Sequence, residues 1–209
     1  MGDPGETIRL VELVCARLCH DLSGLIGTVG NALGMLAEDS GRDNEVLAFA
    51  SSAAAALTQR LRLMRAALGP ETVAMALPEL HALAAPPLAA RRIGLDTRAL
   101  PTDSVFSPAA GRVVLNLLLL ACDGLPKGGT IVLMGAPADL FIRIDGPEAA
   151  WPSGLAACLS DEAAARAALT SARSVLMPLT ALLALSRNLR LSPVLAASSG
   201  IQALRLCAA

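Results

Sequence analysis

Between Thr7 and Ala37, apolar residues recur at helical spacing and leave His20 on the opposite face. An α-helix turns about 100° per residue, so faces can be read from position alone. With His20 at zero, Val11, Leu18, Leu22, Val29, Leu33 and Leu36 fall within roughly 40° of the far side. Leu25, Val14 and Cys15 flank that stripe. The His20 side carries Arg17, Ser23, Gly24, Gly27, Asn31 and Glu38, which are polar or small. A helix of this register is about 45 Å long and holds His20, with Asp21 directly after it, out in water. A histidine on such a face is ordinarily just solvated, so position alone makes it available for chemistry without assigning any.

A second helix follows. Ser40, Asp43 and Asn44 offer capping side chains. Leu47, Ala50, Ala54, Leu57, Leu61, Met64 and Leu68 then repeat the three-and-four spacing, and Gly69-Pro70 stops the helix. The link around Asp39–Asp43 is short, which makes the two helices antiparallel neighbours. Two helices alone cannot enclose a core. The leftover apolar surface predicts a homodimer in which two hairpins form a four-helix bundle. Gly24, Gly27, Gly30 and Gly34 weaken the first helix by about 1 kcal/mol each against alanine, and suit close approach of another helix or a docking protein.

The net charge of −1 and an aromatic content of 2% give nucleic acid neither a basic field nor stacking platforms. The longest apolar runs, around Val113–Cys122 and Val175–Leu185, fall short of the ~20 residues that span a bilayer. The N-terminus has acids and no signal-peptide pattern, so a soluble, cytoplasmic chain is expected. The five cysteines are odd in number and scattered, which argues against a disulfide framework. Cys15, Cys19 and His20 match no zinc spacing, and no metal site is expected.

Beyond Gly69-Pro70 the pattern changes. Helices are expected over Pro78–Ala90 (interrupted by Pro86-Pro87), Pro108–Asp123 with Ser107 as cap, Leu155–Leu159, Asp161–Thr170 and Ser174–Asn188. Strands are expected over Arg92–Arg98, Thr130–Met134, Asp139–Asp145, Arg190–Ala196 and Ile201–Cys207, the middle two and the last two as hairpins. The fold class is therefore α+β: an N-terminal helical hairpin, residues 1–70, and a two-layer α/β sandwich, residues 71–209.

The box Ala16-Arg17-Leu18-Cys19-His20-Asp21-Leu22 resembles the H-box of two-component signalling proteins, and more closely the ChpT-type histidine phosphotransferases of bacterial phosphorelays. The run Arg60–Arg65 sits where that family ends its second helix. Val113–Ala121 followed by Leu125-Pro126-Lys127-Gly128-Gly129-Thr130 is similar to a decayed kinase ATP-binding segment. A working histidine kinase carries an asparagine in that helix that helps hold ATP and Mg²⁺; the position here is Leu120. Its glycine-rich Asp-x-Gly-x-Gly element is replaced by Asp145-Gly146-Pro147-Glu148-Ala149. In place of the Ser-Pro pair expected near Gly24-Leu25, the chain reads Leu22-Ser23-Gly24-Leu25.

The resemblance implies a phosphoryl group passed between receiver-domain aspartates through His20, with Asp21 orienting the imidazole and Arg17 offsetting phosphoryl charge. An imidazole with a reference pKa near 6.5 is largely neutral at pH 7 and has one nitrogen lone pair for phosphorus. Ser23, Gly24, Gly27 and Asn31 are the expected docking surface for the receiver domains of a hybrid histidine kinase and of response regulators. Mg²⁺ is expected from the receiver, and neither nucleotide nor another cofactor from this chain. The alternatives are a scaffold that binds response regulators without chemistry, and an ATP-using histidine kinase.

Overall fold

The computed structural model describes residues 4–38, 43–70, 73–196 and 200–209. Two long helices, α1 (Pro4–Glu38) and α2 (Asp43–Leu68), pack against one another as an antiparallel hairpin. Ser40 and most of the connecting link lie outside the described residues.

The hairpin buries less of its apolar stripe than the periodicity predicts. Leu13 and Ala32 of α1 are buried, with Ala50, Ala53, Leu63, Met64 and Ala67 of α2. Val11 and Leu33, both in the expected stripe, are 56% and 54% exposed. Ile8 and Ile26 beside them, and Leu47, Phe49 and Leu61 on α2, are exposed as well. At about 100° per residue, Ile8, Val11, Ile26 and Leu33 share one 60° arc of α1. Leu13, Arg17 and Asp21 lie within a separate arc of about 80°, turned toward the rest of the chain. One arc of the helix thus faces the rest of the chain, and the other is left uncovered.

The remainder runs β1 (Met75–Ala76), α3 (Leu77–Ala89), β2 (Ile93–Ala99), β3 (Val105–Phe106), α4 (Pro108–Asp123), β4 (Gly129–Ala136) and β5 (Asp139–Asp145). It continues with α5 (Leu155–Ser160), α6 (Glu162–Ala167), α7 (Leu176–Ser186), β6 (Leu189–Ala196) and β7 (Gly200–Ala208). Five strands form one mixed sheet in the order β2-β4-β5-β7-β6. Three neighbouring pairs are antiparallel, and β2 with β4 is parallel. Parallel neighbours need a crossover, and α4 supplies it.

One face of the sheet is buried through Ile131, Leu133, Leu140, Ile142, Leu204 and Leu206, which pack on α3, α4 and α7. The other face carries polar cross-strand pairs, among them Arg205 over the Phe141 ring at 5.6 Å with its guanidinium on Asp139. This alternation makes the α/β part a two-layer structure. Ser107 caps α4 by accepting from the Ala110 N–H at 3.2 Å, as its position before Pro108 predicts.

Two local features differ from the sequence reading. The helix α3 runs through Pro86-Pro87 rather than breaking there. These prolines lie in its last turn, where the Pro86 carbonyl still accepts from Ala90 and little helix remains to disrupt. The two-residue pair β1–β3 is too short to leave a periodic signature.

Candidate functional site

His20 stands on α1 with its side chain 81% exposed, the placement that the helical register predicts. Its Nδ1 lies 3.4 Å from Asp21 Oδ1, a long contact between side chains about 100° apart on one helix.

Asp21 is in different surroundings. Its side chain is only 11% exposed. Oδ1 accepts from Arg17 Nε at 3.0 Å, and Oδ2 accepts from Arg60 Nη2 of α2 at 2.9 Å. Burial alone would raise the carboxyl. The Arg17 charge and the hydrogen bonds from Arg60 and Arg17 outweigh it and hold the pKa below the usual aspartate value. Asp21 is therefore a fixed carboxylate, with one oxygen shared between Arg17 and the edge of His20.

Arg17 sits at the centre of this cluster, and its placement corrects the sequence reading. It stands on the shoulder of the His20 face, yet is buried, at 9% exposure. Nη1 donates to the Arg173 carbonyl at 2.7 Å, and Nη2 donates to both oxygens of Asp123, at 3.0 and 3.2 Å. Burial works to lower the guanidinium pKa. Hydrogen bonding to Asp123 and the charges of Asp123 and Asp21 more than offset it, so the group stays charged. Nε, Nη1 and Nη2 all donate inside the chain, so Arg17 is an anchored cation at the cleft wall rather than a side chain extended into solvent.

These residues line a cleft of about 1230 Å³ between the hairpin and the α/β part. His20, Asp21, Arg17, Gly24 and Arg60 lie on the hairpin side; Arg91, Leu120, Asp123, Arg173 and Met177 are among those across from them. Glu6 accepting from Arg166, and Arg9 donating to the Thr170 carbonyl, tie the first half of α1 to the same side.

The expected docking residues divide into two groups. Gly24 lines the cleft. Ser23, Gly27 and Asn31 are exposed along α1 and are not among the lining residues. Ser23 Oγ donates to the Cys19 carbonyl one turn back. A Cβ at Gly24 or Gly27 would meet no atom within 4 Å, so nothing inside the chain needs a glycine there.

The sequence reading assigned no role to Arg60 and did not single out Asp123. Asp123 did leave a signal: it closes α4, and an acid at a helix C-terminus faces the negative end of the helix dipole. Such a residue calls for a cation, which Arg17 provides. Arg60 left only the weaker signal of a charge on a helix rich in alanine and leucine.

The positions that hold nucleotide in working kinases are filled differently. Leu120 is buried and gives the cleft an aliphatic wall. A Cβ on Gly146 would stand 2.6 Å from the Gly128 carbonyl oxygen, so that glycine serves packing between two turns. Among the described residues no three His, Cys, Asp or Glu side chains gather as metal ligands, and no helix is long and apolar enough to cross a membrane.

Comparison with known proteins decides the family. The profile of the histidine phosphotransferase C-terminal domain matches residues 77–198, more than half of the chain. The chain belongs to the histidine phosphotransferase family. It is similar to the protein phosphotransferase ChpT of Brucella abortus (strain 2308), with 34% identity over 64 residues. That stretch is 31% of this chain and 30% of the relative, so the match spans under a third of the relative's length. The solved structure described as a bacterial phosphotransferase superposes with a TM-score of 0.73 over 95% of each chain, at 22% identity. The family fold of helical hairpin plus mixed α/β sheet is therefore shared along nearly the whole length.

Proposed function

We propose that this chain is a phosphorelay intermediate in which His20 accepts a phosphoryl group from one receiver-domain aspartate and donates it to another. The observation that carries the reading is the contrast within one residue pair: an 81%-exposed imidazole beside a carboxylate that two arginines hold in place.

The contrast has a chemical consequence. A carboxylate only accepts, so the tautomer assigned to His20 has its proton on Nδ1, pointing toward Asp21 Oδ1. Nε2 then carries the lone pair and faces solvent. In the first transfer this lone pair attacks phosphorus, the N–P bond forms, and the P–O bond to the donor aspartate breaks. The electron pair stays with the departing carboxylate. The ring keeps its Nδ1 proton and becomes cationic, and Asp21 lies beside that charge. The second transfer runs the same step backwards onto another aspartate. Little covalent machinery is needed beyond an oriented nucleophile.

In this reading the receivers bring the acceptor carboxylate and its Mg²⁺, and the chain uses no nucleotide. Ser23, Gly24, Gly27 and Asn31 present the docking face. Residues 1–70 form the dimerisation and phosphotransfer unit, and 71–209 a companion docking part. The exposed arc of Ile8, Val11, Ile26 and Leu33 faces a second copy in a four-helix bundle. The protein works in the cytoplasm.

The test is transfer of labelled phosphate from a phosphorylated receiver to the wild type and to His20→Ala. Acid-labile label on the wild type alone supports the reading. Label retained by His20→Ala overturns the assignment of the nucleophile, and no label on either across a panel of receivers overturns phosphotransfer.

A further inference from the structure

The contacts around Arg17 form one continuous chain from α4 to the imidazole. Asp123 holds Arg17 Nη2, Arg17 Nε holds Asp21 Oδ1, and Asp21 Oδ1 faces His20 Nδ1. Arg60 holds the other Asp21 oxygen from α2. We infer that Asp123 is a positioning residue for phosphotransfer, acting on His20 only through Arg17 and Asp21. The inference rests on the phosphotransfer reading above and extends it to a residue 103 positions away in sequence (20 to 123).

Three observations support it. Asp123 closes α4, where the helix dipole disfavours an acid, so its place there is not explained by helix stability. Both of its carboxylate oxygens accept from the single nitrogen Nη2 of Arg17, at 3.0 and 3.2 Å, a charge-assisted contact that anchors that end of the guanidinium. The guanidinium is rigid, so anchoring Nη2 constrains where Nε sits, and Nε donates to the same Asp21 oxygen that faces the imidazole. Removing Asp123 leaves Arg17 held by Asp21 and the Arg173 carbonyl alone, with Nη2 unanchored. Arg60 still retains Asp21 Oδ2, so the carboxylate stays near its place while the Nε–Oδ1 contact beside the imidazole loosens. The imidazole then spends less time with Nε2 directed at an incoming phosphorus.

Catalytic geometry is sensitive to this kind of slack, and a misplacement of about 1 Å costs up to ~100-fold in rate. The expected effect of Asp123→Asn is a fall of about tenfold in the single-turnover rate of labelling by a phospho-receiver, with the half-saturating receiver concentration unchanged. Asp21→Asn gives a larger fall. A structural role alone would lower rate and stability independently of Asp21.

The decisive experiment is the double-mutant comparison in the full chain, read as transfer rate and as half-saturating receiver concentration. If Asp123 acts through Asp21, Asp123→Asn has no further effect in the Asp21→Asn background. Arg17→Gln breaks the same chain at its centre and carries the same expectation, which keeps the test open if Asp123→Asn folds poorly. Multiplying effects overturn the inference, as does an unimpaired Asp123→Asn or a change confined to half-saturation. Failure of the wild type itself to take label, seen in the same assay, overturns the phosphotransfer reading and the inference together, and is distinguished by that control.

Discussion

Arg17 and Asp123 are 106 positions apart in sequence and meet at 3.0 Å, joining the middle of α1 to the last residue of α4. This pair places the His20 face of the hairpin in a fixed relation to the α/β part. Its guanidinium reaches on to Asp21, so the contact that docks the two parts also borders the candidate nucleophile.

Asp21 gives the molecule a pH dependence with a definite sign. Its pKa is lower in the folded chain than in an unfolded one. The stability it contributes is present above the ordinary aspartate value near 3.9 and is lost as pH falls through the depressed folded value. Asp21→Asn also leaves Arg17 and Arg60 without their shared carboxylate. The expected cost is about 1–3 kcal/mol at pH 7, measured by chemical denaturation. The gap between wild type and variant should narrow below about pH 4, as the wild-type carboxyl takes up its proton. A gap that stays constant from pH 7 to pH 3 would show that the charge on Asp21 is not what the arginines recognise.

Gly27 separates the demands of the helix from those of docking. It lies inside α1, is exposed, and has room for a Cβ. Gly27→Ala should therefore raise stability by about 1 kcal/mol, read from the denaturation midpoint. If a receiver packs closely against this face, the same methyl should raise the half-saturating receiver concentration. A more stable variant with unchanged docking would place the receiver elsewhere on α1.

The uncovered apolar arc makes a prediction about assembly. Val11 and Leu33 are each more than half exposed in the single chain, so charging them costs the protomer little. The wild type should sediment as a dimer and the Val11→Glu, Leu33→Glu double variant as a folded monomer, with the helical circular dichroism of each chain retained. A wild type that is monomeric at tens of micromolar would remove the four-helix bundle from the account.

Much of this architecture was legible in the sequence because it rests on local rules. The register of α1 placed His20 in water; Ser107-Pro108 marked the start of α4; the short link after Met134 gave the β4–β5 hairpin. Contacts that join distant segments were not legible. Position on α1 put Arg17 on the shoulder of the open face, and only the docking of α4 at that point turns it into a buried cation. The chain covers only part of the apolar stripe, and periodicity reports that a surface is apolar without saying what covers it. Asp123 was visible as an odd acid at a helix end, but its partner lies beyond the reach of any sequence spacing.

The most direct measurement is a pulse-chase. The purified protein is labelled by a phosphorylated receiver, separated from it, and mixed with a second, unphosphorylated receiver and Mg²⁺. The account predicts that label found on His20 Nε2 in the pulse moves to the second receiver's aspartate in the chase, and that His20→Ala carries none at either stage. Label on another residue, or label that stays on this protein through every chase, would contradict it.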